Sequence, residues 1–367
     1  MDADLQGIGR HFAMEGAFVS GGTYGHGHIN DTYAVEYRLG SGTRRFIFQR
    51  INHKVFKDVA GLMANIVAVT DHLRRKILAA GGDPLRETLT LVPALDGRSY
   101  LQTDTGEYWR VYVFIDGART FESVERLEHV ASAGRAFGTF QRLLSDFPAD
   151  ELVETIPGFH HTRKRFGAFQ QAVAEDVQGR AKAARPEIDF VLRRETSTSR
   201  LVDMLSDGRL QQRITHNDTK FNNVMIDDRT GEGVCVIDLD TVMPGLSLYD
   251  FGDSIRSMAN TGAEDETDLS KVSFSQEVFD LYTRGYLEAA GSWLEPEELA
   301  LLPFSAELMT LECGIRFLTD YLQGDIYYKT RRPEHNLDRT RTQLKLVQEM
   351  EAAEQEMADA VRRSAKH

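Results

Sequence analysis

The chain has 367 residues, of which 41% are hydrophobic and 27% charged, and a formal net charge of −13. This acidity argues against a general binder of nucleic acid or membrane surfaces, because both polyanions reward clustered Lys and Arg. No apolar run reaches the roughly 20 residues that span a bilayer, and Met1-Asp2-Ala3-Asp4-Leu5 has neither the basic start nor the apolar core of an export signal. With only Cys235 and Cys313, both in apolar stretches, a cytoplasmic protein with buried thiols and neither a disulfide nor a zinc site is expected.

Residues 8–19 predict a short helix around Phe12 and Met14. Tyr24-Gly25-His26-Gly27-His28-Ile29-Asn30-Asp31-Thr32-Tyr33 then sets glycines between two strand-like segments. Such a turn lets backbone N–H groups approach phosphate oxygens, although a plain hairpin turn has the same composition. Phe46 to Ile51 reads as a third strand, on which Ile47 and Gln49 share one face while Arg50 points the other way. Residues 57–79 are helical through Leu62, Ile66, Val69 and Leu73. Leu89–Val92, Ser99–Leu101 and Trp109–Phe114 complete an antiparallel sheet, and the last runs into Ile115-Asp116-Gly117-Ala118-Arg119, a hinge.

From there the composition turns helical. Val130 to Leu144 carries Gly134, Phe137, Phe140, Leu143 and Leu144 at core-helix spacing. His160-His161 has no companion ligand nearby, so a structural turn is expected rather than a metal site. Residues 196–206 predict a helix that leads to Ile214-Thr215-His216-Asn217-Asp218-Thr219-Lys220-Phe221-Asn222-Asn223 and then Val234-Cys235-Val236-Ile237-Asp238-Leu239-Asp240. Val224-Met225-Ile226 and the turn Asp227 to Gly231 between them predict a hairpin, which brings Asn223 and Asp238 to one end of two paired strands.

Either half alone reads equally as a surface turn or a solvated strand end. Together they supply what phosphoryl transfer from ATP needs: a carboxylate for the attacking hydroxyl and hard oxygen ligands for magnesium. Asp218 is the candidate base, Asn223 and Asp238 are the candidate metal ligands, and His216 braces the loop. Asp250-Phe251-Gly252 comes too late and without a preceding strand to supply the metal ligand, and Asp253 is expected to brace a loop. Leu301–Leu322 is a helix with a Leu308, Leu311, Ile315, Leu318, Leu322 stripe. Beside that stripe Glu312, Arg316 and Asp320 recur every four residues, as a surface ladder or a polar pocket wall. Residues 343–363 form a polar helix expected to pack on its own lobe.

His216-x-Asp218-x4-Asn223 with Ile237-Asp238 resembles the signature of the aminoglycoside-phosphotransferase and choline-kinase branch of the protein-kinase-like fold, and Gly27-x-x-Asn30-x-Thr32-Tyr33 is similar to its nucleotide loop. The resemblance implies an α+β, two-lobed fold. A small N-terminal nucleotide-binding lobe with an antiparallel sheet would span 1–116, and a larger, mostly helical catalytic and sugar-binding lobe 117–367. It also implies ATP held by Gly25, Gly27, Asn30 and Thr32, by Gln49, and by the hinge backbone at Val113 and Ile115, with Mg2+ on Asn223 and Asp238. Gln49 stands where protein kinases carry a lysine that pairs with a helix glutamate. The helix over 57–79 offers no such glutamate, and the lost charge must be replaced by Arg50, another residue or magnesium.

Longer stretches resemble the N-acetylhexosamine 1-kinases within this branch: Tyr24 to Asn30, Thr215 to Lys220, Ile237 to Thr241, Asp250 to Arg256, Glu312 to Leu318 and Pro333 to Asn336. That likeness implies transfer of the ATP γ-phosphate to the anomeric hydroxyl of GlcNAc or GalNAc. Asp218 would orient and deprotonate the sugar, His28 and Arg316 would bind it, and the enzyme would be a monomer. A kinase of this fold acting on another hexose, an amino alcohol or an aminoglycoside is the alternative. A nucleotide-binding pseudokinase is a further one, against which Asp218, Asn223 and Asp238 all stand.

Overall fold

The computed structural model describes residues 3–25 and 29–366. Its first helix, α1 (Leu5–Gly9), is capped by Asp4, whose carboxylate accepts the Gly7 N–H. The helix expected around Phe12 does not form. Phe12 instead makes a backbone bridge to Ala94 and fills the core under the sheet.

That sheet contains β1 (Ala17–Thr23), β2 (Asp31–Leu39) and β3 (Gly42–Ile51). After α2 (Val59–Ala79) and α3 (Pro84–Glu87) it is completed by β4 (Leu91–Val92), β5 (Leu101–Gln102) and β6 (Tyr108–Val113). The order is β1-β2-β3-β6-β4, with β5 also on β6, and all pairs are antiparallel. The β3–β6 register sets Ile47 opposite Tyr112 and Gln49 opposite Arg110, so these side chains share one face of the sheet. Asp58 caps α2, which buries Leu62, Ile66, Val69 and Leu73 as the spacing predicts.

The rest is mostly helical: β7 (Ala118–Arg119), α4 (Leu127–Leu143), α5 (Thr162–Glu175), α6 (Arg185–Leu192) and α7 (Glu195–Ser206) come first. Next come β8 (Arg213–Thr215), the hairpin β9 (Val224–Asp227) and β10 (Gly233–Val236), then β11 (Met243–Gly245) and α8 (Ser247–Met258). The chain ends with α9 (Gln276–Ala290), α10 (Pro296–Gln323), α11 (His335–Ala352) and α12 (Glu354–Ser364). Small sheets β10-β9-β7 and β11-β8 carry the loops of the site. The fold is therefore an antiparallel sheet in one lobe and a helical second lobe, the two-lobed kinase-like arrangement.

The tail departs from the expected single helix. It breaks at Ala353 into α11 and α12, and the break turns α12 onto α9 and α10. Leu346, Met350, Met357 and Val361 are buried there on their own lobe. The main core joins α2 to α4, the β9–β10 hairpin, α8, α9 and α10. Helices α4 and α9 approach closely through glycine: a β-carbon on Gly285 would lie 2.0 Å from the Ala131 carbonyl oxygen, and one on Gly134 would lie 2.5 Å from that of Tyr282. Among the described residues no helix is long and apolar enough to cross a membrane.

Candidate active site

The loop after β8 is held from behind. His216 is buried between the rings of Phe137 and Phe140 of α4, at 5.8 and 5.9 Å. Its Nδ1 accepts the Asp218 N–H at 3.3 Å, so Nε2 carries the proton donated to the Ile237 carbonyl at 2.8 Å. One imidazole thus ties Asp218 to the strand end that carries Asp238.

The second brace is Asp250, in the first turn of α8. Its carboxylate accepts the N–H groups of His216 at 2.9 Å and Asn217 at 2.7 Å, and the Gln141 amide at 2.6 Å. Asp253, the expected brace, instead pairs with Arg256 on the same helix at 2.8 Å. The spacing of α8 decides this, since it turns Asp250 and not Asp253 towards the loop. Asp250-Phe251-Gly252 indeed lies inside a helix and away from the strand end. Two polar residues of the site, Asn217 and Asp238, have left-handed backbones with φ of 64° and 60°, a conformation that Asn and Asp tolerate better than most residues.

Asp218, Asn223 and Asp238 converge on one cleft between the lobes. The β9–β10 hairpin forms as predicted, pairing Val224 with Val236, and the Ile237 N–H donates to the Asn223 carbonyl at 2.9 Å. The Asn223 amide N–H donates to the Asp218 carbonyl at 2.7 Å, which leaves its Oδ1 for a cation. Asp238 accepts no hydrogen bond among the described residues. It opens onto the cleft, yet the protein walls around it and the charges of Asp240 and Asp218 push its carboxyl up to about 6. A carboxylate crowded by like charge beside a free amide oxygen suits a divalent cation. Among the described residues no three His, Cys, Asp or Glu side chains gather as a self-sufficient cage, so an ion here would take its remaining ligands from phosphate and water.

Lys220, two residues beyond Asp218, is a site residue that no spacing in the sequence marks. Its Nζ sits 3.0 Å from Asp218 Oδ1. Burial raises the Asp218 pKa, but the charge and hydrogen bond of Lys220 outweigh that and hold it below the ordinary carboxylate value. Asp218 therefore stays ionised and able to accept a hydrogen bond from an incoming hydroxyl.

Gly25, Asn30, Thr32, Gln49, Val113 and Ile115 line the same cleft. Gly27 and His28 lie outside the described residues. The Val113 N–H is already donated to the Thr90 carbonyl at 2.9 Å, which leaves Val113 only its carbonyl for a ligand, whereas the buried Ile115 N–H makes no hydrogen bond among the described residues. Gln49 holds Thr32 at 3.1 Å and accepts from Arg110 at 2.9 Å. Arg50 points away, as its strand parity predicts, and bridges Asp31 and Glu107 at 2.5 and 2.7 Å. It cannot replace the missing charge.

Arg316 does not line this cleft but lies on α10, its guanidinium 5.1 Å from the ring of Phe159 and 5.7 Å from that of Tyr328. Of the two readings of the Glu312-Arg316-Asp320 face, the surface ladder does not form, because each residue has another partner. Glu312 is buried against His160 at 2.8 Å, and the other nitrogen of His160 faces the Asn217 carbonyl at 2.9 Å. Burial lowers the His160 pKa, but Glu312 and that carbonyl more than offset the loss. Asp320 accepts the N–H groups of Ile326, Tyr327 and Tyr328 at 2.9, 2.8 and 3.0 Å.

A sequence profile described as the phosphotransferase enzyme family (APH) matches residues 22–295, well over half of the chain. The chain belongs to this family. Among solved structures this phosphotransferase is similar to an aminoglycoside phosphotransferase from Alicyclobacillus acidocaldarius, with a TM-score of 0.61, 13% identity, and coverage of 100% of this chain and 98% of the other. It is similar to an amicoumacin kinase in complex with AMP-PNP, Ca2+ and Ami (TM-score 0.58, 14% identity, 97% and 94% covered). A Plasmodium vivax ethanolamine kinase matches with a TM-score of 0.55 and 15% identity over 88% and 82% of the two chains. At these identities the likeness is one of fold.

Proposed function

We propose that this phosphotransferase moves the γ-phosphate of ATP to the anomeric hydroxyl of an N-acetylhexosamine, GlcNAc or GalNAc. The observation that carries the phosphoryl-transfer part is the convergence of an ionised Asp218, Lys220, a free Asn223 oxygen and an uncompensated Asp238 on one cleft. In this reading the N-terminal lobe, 1–116, holds the nucleotide through Gly25, Gly27, Asn30, Thr32, Gln49 and the hinge at Val113 and Ile115. The C-terminal lobe, 117–367, supplies chemistry and acceptor binding. Asn223 and Asp238 would hold Mg2+, which supplies charge neutralisation for the phosphates. Asp218 orients the acceptor hydroxyl and receives its proton as the oxygen attacks phosphorus. A carboxylate is a weak base, but an anomeric hydroxyl is more acidic than an ordinary alcohol, so the pairing works. Lys220 faces the charge that develops on the transferred group.

For the acceptor, Arg316 flanked by Phe159 and Tyr328 offers polar hydrogens beside aromatic faces, a surface that suits a neutral polyhydroxylated ring. His28 completes the sugar site in this proposal. A monomer in the cytoplasm, with no nucleic-acid or membrane partner, belongs to the same reading. One observation favours a cationic acceptor such as an amino alcohol or aminoglycoside: Glu312 Oε2 and Asp253 Oδ2 are buried without hydrogen-bond partners. Against it stand Arg256, which pairs with Asp253, Arg316 on the same helix as Glu312, and His160, whose pKa Glu312 raises.

The deciding experiment is ADP release from ATP and magnesium across GlcNAc, GalNAc, glucose, galactose, choline, homoserine and an aminoglycoside, with the phosphate position read by phosphorus NMR. Phosphate at C1 of an N-acetylhexosamine is expected. Turnover with an amino acceptor alone would discard the sugar.

A further inference from the structure

We propose that Arg110 supplies the phosphate-facing positive charge that β3 lacks at Gln49, moved one strand over and held by a carboxylate of the opposite lobe. The inference rests on the ATP-binding reading above. Gln49 and Arg110 are direct cross-strand partners, so their side chains enter the cleft together. Arg110 is 1% exposed, donates from Nε to Gln49 Oε1 at 2.9 Å, and sets Nη1 2.5 Å from Asp240 Oδ1. Its Nη2 donates no hydrogen bond among the described residues, although Arg110 lines the cleft. A guanidinium anchored on two nitrogens with the third free is prepared for an oxyanion.

The surroundings explain why the charge sits here. Where a kinase helix would bring a glutamate to its lysine, α2 brings the thioether of Met63, 4.0 Å from Nη1. The counter-charge comes instead from Asp240, two residues beyond Asp238. The second oxygen of Asp240 accepts from the Asn30 amide at 2.6 Å, and Asn30 Oδ1 accepts the Asn52 N–H at 2.9 Å. Asp240 therefore positions Arg110 and the end of the nucleotide loop together. Arg110 and Lys220 are the cations lining the cleft among the described residues, and Lys220 is engaged by Asp218.

Equilibrium calorimetry with adenosine, ADP and ATP, on the full chain with and without magnesium, tests this against a purely structural ion pair. In the wild type, ATP should bind tighter than adenosine; if it does not, the ATP reading fails, and the inference with it. Arg110→Met should leave adenosine affinity within about twofold and weaken ADP and ATP by about 10- to 100-fold. Because that variant strands Asp240, Arg110→Met/Asp240→Asn, which removes both charges, should show the same phosphate-dependent loss. Gln49→Lys on the Arg110→Met background should recover at least about tenfold of the ATP affinity, as a lysine returned to β3 would. Loss of adenosine and ATP affinity in parallel, or wild-type ATP affinity in the neutral double variant, would overturn the assignment.

Discussion

Asp250 places three hydrogen bonds on one buried carboxylate, two of them to the backbone immediately before Asp218. Asp250→Ala leaves those N–H groups unpaired, and we expect a loss of about 3 kcal/mol or more in urea unfolding. Asp250→Asn keeps the shape but offers one acceptor oxygen, so kcat should fall more than stability does; equal losses would mean that the residue only holds the fold. Asp218 itself has a different signature. Asp218→Asn should bind nucleotide normally and lose about 10²-fold or more in kcat, and substantial turnover would remove it from the mechanism. Arg316→Ala should raise KM for the acceptor and leave that for ATP unchanged. An unmoved acceptor KM would place the pocket elsewhere.

At the scale of elements, the glycine seam between α4 and α9 supports the site indirectly. Helix α4 carries Gln141, which accepts from Tyr286 of α9 and donates to Asp250. Gly285→Ala would force its β-carbon into the Ala131 carbonyl and separate the helices, which should cost about 1–3 kcal/mol in denaturant unfolding and lower kcat through Asp250. Local patterns were the legible part. The strand parity of Gln49 and Arg50 and the hairpin joining Asn223 to Asp238 follow from a two-residue period and a turn, and both are as the sequence predicts. What pairing across distance decides was not legible. Arg110 acquires its place from the β3–β6 register, and Asp250 meets His216 across a sequence separation of 34. The Glu312-Arg316-Asp320 face reads as a ladder or a pocket wall because helical spacing shows which residues could pair. It does not show that His160 and the 326–328 backbone compete for them.

The whole molecule carries a net charge of −13, and at Glu307 neighbouring carboxylates bear on stability. Burial, then the charges of Glu351 and Glu354, push its carboxyl from 4.5 up to about 7. The folded chain then holds a proton that the unfolded chain releases, so stability is full below about pH 4.5 and falls as pH rises through 7. Glu307→Gln should raise Tm at pH 8, by the equivalent of about 1–2 kcal/mol after allowing for its partial exposure, and change little at pH 5; a gain equal at both values would refute this origin. Elsewhere the fold keeps two sets of supports apart. The loop that carries Asp218 hangs on Asp250 and His216, whereas the segment after α10 is clipped to that helix by Asp320, with Asn336 bridging Asp320 to Asp325 at 2.8 and 2.9 Å and Arg180 closing on Asp325 at 2.6 Å. On the proposal that Arg316 and Tyr328 face the acceptor, a lineage that exchanged the clipped segment would change the acceptor and leave the supports of the Asp218 loop untouched.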